Sequence, residues 1–383
     1  VARIPFAELR FFDPGETSGV LEQRLMTHLT DLRERCCVPA IAAARAPDGG
    51  LVPDPLDWLT DESHAPGRTV PAREPPRLSQ EDRWKIARRV KRLQMAREAA
   101  SGMGQLRKEE RERLAVLREG VRLVQVTSEH QADELASALH VEFPWLAPAT
   151  EAVWQAMRRS VREGTPGLRL PPLLLDGPPG IGKSVWARRL ADRLQTPALC
   201  YEATTENASF GIVGSQRAWG NAVPGRLIQT ILQTRVGNPV VVVDEVEKAG
   251  MASSNNGQSH NLTGALLPLL EPATARRWSC PFYEVRFDMS WVIWVLTSNS
   301  CHLLPEPLLS RCPPIRLPHL SRADLQVFAL REGARRGLSV ISVEAITEAI
   351  DRTFTDPGQL MSLRAVLRML DLAGDLEAKP RPQ

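Results

Sequence analysis

"LLLDGPPGIGKSVWARRLADRL", residues 173–194, decides the fold. Leu173–Leu175 is an apolar run of strand length. It enters a turn of glycine and proline, Gly177-Pro178-Pro179-Gly180-Ile181-Gly182-Lys183-Ser184, and then a stretch with helical apolar spacing. Strand, G-x-x-x-x-G-K-[ST] and helix in that order is the context a phosphate-cradling loop requires. The glycines let backbone N–H groups turn inward on phosphate oxygens, and the helix N-terminus adds the positive end of its dipole. Lys183 is expected to reach the β- and γ-phosphates of a nucleotide, and the Ser184 hydroxyl to bind Mg²⁺.

"NPVVVVDEVEK" at 238–248 supplies a second strand. The β-branched run Val240–Val243 predicts a central parallel strand covered on both faces. Asp244 then falls at the carboxyl end, where open α/β sheets place their ligands. It is expected to hold Mg²⁺ through water, with Glu245 orienting and polarising the attacking water. "SWVIWVLTSNS" at 290–300 is a third strand, and Asn299 at its tip is expected to position that water beside Glu245. An asparagine there is also an ordinary turn former; three such strands together favour the functional role.

"LLPEPLLSRCPPIRLP" at 303–318 places Arg311 after a short proline-bracketed helix, with Arg316 as the competing candidate. An arginine reaching the phosphates of an adjacent subunit stabilises transition-state charge, worth about 10³–10⁵ in rate. "MSLRAVLRMLDLA" at 361–373 reads as a helix with Leu363, Val366, Leu367 and Leu370 on its apolar face. Arg364 near its start is expected to turn towards the γ-phosphate; the bland alternative is a surface arginine on a helical lid.

The bulk numbers fit this picture. A chain of 383 residues with 43% hydrophobic and 24% charged residues suggests two or three globular units. A net charge of +3 argues against a protein basic over its whole surface. None of the six cysteines, Cys36, Cys37, Cys200, Cys280, Cys301 and Cys312, forms a C-x-x-C pair, so free thiols in a reducing compartment are expected. The start, "VARIPFAELRFF", lacks a signal-peptide core, and the longest apolar runs, such as "WVIWVL" at 291–296, are too short to cross a bilayer. A cytoplasmic protein without membrane contact is expected.

Four regions are expected. Residues 1–78 hold a helix with Leu21, Leu25, Leu29 and Leu32 at helical spacing, then a proline-rich stretch from 47 containing Trp58 and Leu59. Residues 79–139 read as a helical linker, opened by a Ser79/Asp82 cap. Its stretch 83–97 carries seven basic residues and no acid, either a patch for nucleic acid or an acidic partner, or the solvated face of a long helix. Residues 140–318 are the large α/β subdomain, and 319–383 a small helical lid.

Taken together these segments resemble an AAA+ ATPase, and more narrowly the ATPase module of the Lon protease family, over about residues 140–375. "GSQRAWGNAVPGRLIQTI" resembles that family's loop ending in an aromatic and a proline-glycine-arginine turn; "VVVVDEVEK", "LLSRCPPIRLP" and "MSLRAVLR" resemble its catalytic, arginine-finger and second-sensor segments. The resemblance implies a P-loop AAA+ parallel sheet flanked by helices, ATP and Mg²⁺ as cofactors, and a hexameric ring of identical subunits acting on protein. Trp219 takes the pore-aromatic position, followed by Gly220 where the family usually carries an aliphatic residue. Flanking Gly214, Gly220 and Gly225 are expected to give that loop freedom. The resemblance extends to no Ser-Lys peptidase domain before Gln383, so peptidase activity is not expected from this chain alone; a separate protease or adaptor would be a partner. The implied function is protein unfolding or translocation. A motor or loader acting on nucleic acid through the 83–97 helix is the alternative.

Overall fold

The structure, a computed structural model, describes residues 3–43, 78–203, 209–217, 220, 222–250, 262–354 and 360–378. The proline-rich stretch from 47, with Trp58 and Leu59, lies outside the described residues except for its last residue, 78. The chain forms two compact units, one of residues 1–8 and 106–383, the other of residues 9–105.

The first unit is organised by a five-stranded parallel sheet. Its strands are β1 (Leu173–Asp176), β2 (Ala198–Glu202), β3 (Val240–Asp244), β4 (Ile293–Ser298) and β5 (Pro314–Arg316), in the spatial order β2-β3-β4-β1-β5. All four pairings are parallel. Because β4 is inserted between β1 and β3, the carboxyl ends of three strands far apart in sequence stand side by side. That reversal of strand order is the crevice where such sheets bind ligands. Val240–Val243 and every residue of β4 are buried, as a central strand covered on both faces demands.

Helices Ala147–Arg162 and Lys183–Leu194 share the sheet's core with Val153, Met157, Trp186 and Leu190. Trp186 is fully buried, yet its indole N–H is satisfied by Thr150 Oγ1 at 3.1 Å. The lid consists of helices Arg322–Arg336, Val340–Thr353 and Leu363–Ala378, which bury Leu325 and Phe328, Val343 and Ile346, and Val366 and Leu370. Ser321 and Asp324 form a capping box at the lid's first helix.

The second unit is a hairpin of helices Ser18–Ala43 and Gln80–Ser101. Ser18 meets Gln94 at one end and Arg33 meets Asp82 at the other, so the helices are antiparallel. The cap at Ser79 forms, with Asp82 reciprocating. Leu21 is buried and Leu25 and Leu29 pack against it, but Leu32 is 43% exposed. The helix pairing closes through the neighbouring Arg33–Asp82 contact, which leaves Leu32 outside the seam. Gly102, at φ 72, ends the second helix, so the helical reading of 79–139 is interrupted before Lys108–Leu114.

Candidate functional site

At the carboxyl ends of β1, β3 and β4 lies a cavity of about 810 Å³. Its apolar side is formed by Phe143, Phe328, Leu363 and Leu367, and its polar side includes Lys183, Ser184, Asp244, Glu245 and Asn299. The loop between β1 and the helix at Lys183 uses its glycines for stated reasons. Gly180 and Gly182 have φ of 78° and 95°, a region that favours glycine. A Cβ on Gly177 would stand 2.8 Å from Leu317 O, and one on Gly180 would stand 2.8 Å from Ser362 Cβ.

The loop is held from outside at two points. Trp145 Nε1 donates to Ile181 O at 2.8 Å in a buried hydrogen bond, and Leu363 N donates to Gly180 O at 3.0 Å. Trp145 in turn meets Phe143 and the lid's Phe328 edge-on, each with ring centroids 6.0 Å away.

Lys183 is buried, and its Nζ donates to Gly177 O at 2.6 Å, Pro178 O at 3.0 Å and Asn299 Oδ1 at 3.1 Å. Burial pulls its pKa below the ordinary lysine range, against the fields of Glu247, Asp244, Asp176 and Glu245, which favour the charged form. Ser184 Oγ donates to Asp244 Oδ1 at 2.7 Å, and Thr297 Oγ1 also donates to that oxygen. A hydroxyl and a carboxylate paired beside a loop of backbone donors are hard oxygen ligands suited to Mg²⁺ next to phosphate.

Glu245 has φ 53°, in the left-handed region that a glutamate seldom occupies. Its backbone N–H donates to Thr297 Oγ1 at 3.0 Å. Lys248 Nζ lies 2.6 Å from Glu245 Oε2, and Asn299 Nδ2 donates to Oε1 at 3.2 Å. The Lys248 ammonium is the main reason the Glu245 carboxyl sits below the usual glutamate range; Asn299 adds to it and partial burial opposes it. Asn299 N donates to Glu247 Oε1 at 3.1 Å, while Glu247 Oε2 is buried with no hydrogen-bond partner among the described residues.

The remaining expected residues divide by position. Arg364 is exposed and lines the cavity. Arg311 ends the helix Glu306–Arg311, does not line the cavity, and is held by Glu271 Oε2 at 3.2 Å and Pro307 O at 3.1 Å. Arg316 is the exposed last residue of β5. Trp219 lies outside the described residues, whereas Gly220 is an exposed turn residue whose missing Cβ would meet nothing within 4 Å. Gly214 and Gly225 do not serve loop freedom as expected. Gly214 pairs with Pro224 at the loop's stem, and a Cβ there would stand 2.6 Å from Gly225 N. A Cβ on Gly225 would stand 2.1 Å from Ile212 O. Close backbone crossing demands these two glycines. Arg217, on the same stem, pairs with Glu110 at 2.7 Å and donates to Phe282 O at 3.3 Å.

Sequence reasoning missed Thr297, Glu247 and the arginines around the cavity mouth, Arg188, Arg331, Arg335 and Arg336. Arg335 and Arg336 both reach Glu332, and Arg331 donates to Val141 O at 3.0 Å. No described helix is long and apolar enough to cross a membrane.

Residues 173–318 match the model of the ATPase family associated with various cellular activities, AAA. The chain is similar to the Lon protease of Chlamydia trachomatis, 29% identical over 232 residues, which are 59% of this chain and 28% of that protein. The Lon protease of Magnetococcus marinus is 34% identical over 145 residues, 38% of this chain and 17% of that protein. The peroxisomal Lon protease homolog 2 of Zea mays is 30% identical over 219 residues, 55% of this chain and 24% of that protein. The chain thus spans less than a third of the length of these relatives.

Proposed function

From the AAA ATPase domain that residues 173–318 form, in a chain similar to Lon proteases, we propose that the protein is an ATP-hydrolysing motor subunit. In this reading identical subunits close into a ring, expected to be hexameric, and the ring unfolds or translocates a protein substrate. The observation that carries it is the continuous chain of hydrogen bonds Ser184–Asp244–Thr297–Glu245–Asn299–Lys183 at the ends of three adjacent strands.

The phosphate loop binds the triphosphate through its inward N–H groups. Lys183 leaves the carbonyls of Gly177 and Pro178 for the β- and γ-phosphates. Ser184 and Asp244 would hold Mg²⁺, which would supply positive charge to offset that of the phosphates. Glu245 then orients a water and accepts its proton as the water oxygen bonds to the γ-phosphorus and the bond to the β-γ bridging oxygen breaks. To do so it must leave Lys248, whose contact keeps the carboxylate ionised and weakly basic. Asn299 holds the other oxygen of Glu245 in place, which fixes the direction of attack. Arg364 approaches the γ-phosphate from the lid. Arg311, remote from its own cavity, serves the nucleotide of the neighbouring subunit. Trp219 is proposed to grip polypeptide, since an exposed indole offers a large and unselective contact.

The test is Glu245→Gln. It should bind ATP as tightly as the parent, lose turnover by about 10²–10⁴, and accumulate as an ATP-bound oligomer that retains its protein substrate. Normal turnover in that variant would remove Glu245 from the role. Substrate unfolding that survives Trp219→Ala would remove the pore reading while leaving the ATPase intact.

A further inference from the structure

The described residues of the hairpin 9–105 form one small apolar cluster. Among the described residues of the seam between its long helices, Leu21, Ile86 and Val90 are buried, with Leu25, Met26 and Leu29 partly so. Alongside runs a groove of about 890 Å³ whose apolar lining includes Leu21, Leu25 and Leu93. Leu93 is 40% exposed there. The lining also carries Arg24, Arg89, Arg92 and Arg97, with Asp31 as its acid. Arg24 and Arg97 share one carboxylate, Glu16, at 3.2 and 2.6 Å. Arg89 and Arg92 are exposed and meet no carboxylate among the described residues.

Among the described residues, Leu25 and Leu93 on the two helices, bordered by guanidinium groups in excess of carboxylates, have the form of a seat for a third helix. Helices pack 8–10 Å apart with side chains of one seated in the grooves of the other. We propose that this groove docks an amphipathic helix of a partner protein, apolar on one face and acidic on its flanks, which completes a three-helix bundle. Leucine-type side chains at i, i+3, i+4 and i+7 would cover Leu93 and the open part of Leu25. Flanking Asp or Glu would meet Arg89 and Arg92 through two-pronged hydrogen bonds, the geometry guanidinium favours. Single-stranded nucleic acid is the weaker occupant, because it seeks aromatic platforms for its bases. The described groove lining is leucine and arginine with Thr27, His28 and Asp31 and holds no Phe, Tyr or Trp; Trp84, 62% exposed, is not part of it.

The experiment is fluorescence anisotropy on the whole 383-residue chain with labelled helical peptides of about 20 residues, long enough to hold a helix. The first carries leucine on one face and glutamate on the others. A second replaces glutamate by lysine, a third replaces leucine by serine, and a fourth probe is single-stranded DNA of similar length. The first peptide should bind about tenfold or more tighter than the other two. An Arg89→Glu/Arg92→Glu variant should lose that preference and turn it towards the lysine peptide, while Leu93→Ala weakens binding of both leucine-bearing peptides and leaves the serine peptide unchanged. Circular dichroism establishes that each variant keeps its helices, and the ATPase rate should not change. Equal binding of the glutamate and lysine peptides, or no binding of either, overturns the proposal. So does tighter, steeply salt-dependent binding of the DNA, or self-association of the chain that the first peptide does not displace.

Discussion

Asn299 and Glu245 are tied together by a 3.2 Å hydrogen bond from the amide Nδ2 to the carboxylate Oε1, while the same amide's Oδ1 accepts from Lys183 at 3.1 Å. One side chain therefore contacts both the lysine of the phosphate loop and the proposed water-orienting acid. Asn299→Ala should lower kcat by about 10²-fold, the lower range for a disturbed general base, with KM for ATP changed little. Asn299→Asp should be worse than Ala, because it sets a second carboxylate against Glu245. Steady-state kinetics on both variants decide this; an unchanged kcat in Asn299→Ala would separate the asparagine from the chemistry.

Lys248 sets the pH response. Its ammonium holds the Glu245 carboxyl below the usual range, so Glu245 stays ionised as pH falls towards the ordinary glutamate region. Lys248→Met removes the main cause of that depression. The carboxyl then protonates at higher pH, and the acid limb of the kcat/KM profile should move upward. A limb that stays in place would show that another group limits the rate at low pH.

The approach of the lid to the phosphate loop can be probed at Gly180. Gly180→Ala meets both a φ of 78° and a Cβ placed 2.8 Å from Ser362 Cβ. The expected loss of stability is about 2–5 kcal/mol, from the left-handed backbone and the overlap together. Nucleotide affinity should fall with it. Adding Ser362→Gly removes the overlap but not the backbone strain, so the double variant should recover only in part. Full recovery in thermal unfolding and nucleotide titration would assign the whole defect to the lid contact.

Arg311 is expected to act between subunits. Arg311→Ala should bind ATP normally and lose hydrolysis by about 10³-fold or more. Mixed with Glu245→Gln, whose own arginine is intact, some interfaces should pair a working Glu245 with a working Arg311, and turnover should partly return. ATPase activity across a mixing series is the measurement, and a flat zero throughout would place Arg311 outside a shared site.

The Arg217–Glu110 ion pair steadies the stem at residues 214–217. Glu110 is almost buried, and its Oε2 also accepts from Arg107 N at 2.8 Å. Arg217→Ala strands that carboxylate and should cost ~3 kcal/mol, as loss of one partner of a buried pair does. Hydrogen exchange at residues 214–217 should rise, whereas Arg217→Lys should restore part of the protection. Unchanged exchange in Arg217→Ala would mean that the backbone pairing of Gly214 with Pro224 holds the stem unaided.

The parts of this fold legible in sequence were those whose pattern is local and strong. The glycine loop, the four valines before Asp244 and the run ending at Asn299 each announce a strand and a function within a dozen residues. β2 and β5 were not legible. Ala198–Glu202 alternates between buried and open positions, and Pro314–Arg316 is three residues long beside prolines. Their pairing is decided by neighbours remote in sequence. Thr297 reads as one more β-branched residue of a buried strand, and only the adjacency of β3 and β4 turns its hydroxyl towards Asp244 and the Glu245 backbone. Gly214 and Gly225 read as sources of freedom because sequence does not show what passes beside them.

The hydrogen bond from Leu363 N to Gly180 O ties the lid to the loop proposed to bind nucleotide, and coupling of that kind runs in both directions. If nucleotide shifts the lid, then whatever bears on the lid shifts nucleotide affinity by the same factor, commonly about 5–150-fold. A load on the lid would then register as a change in how firmly ATP is held, with no separate sensor needed.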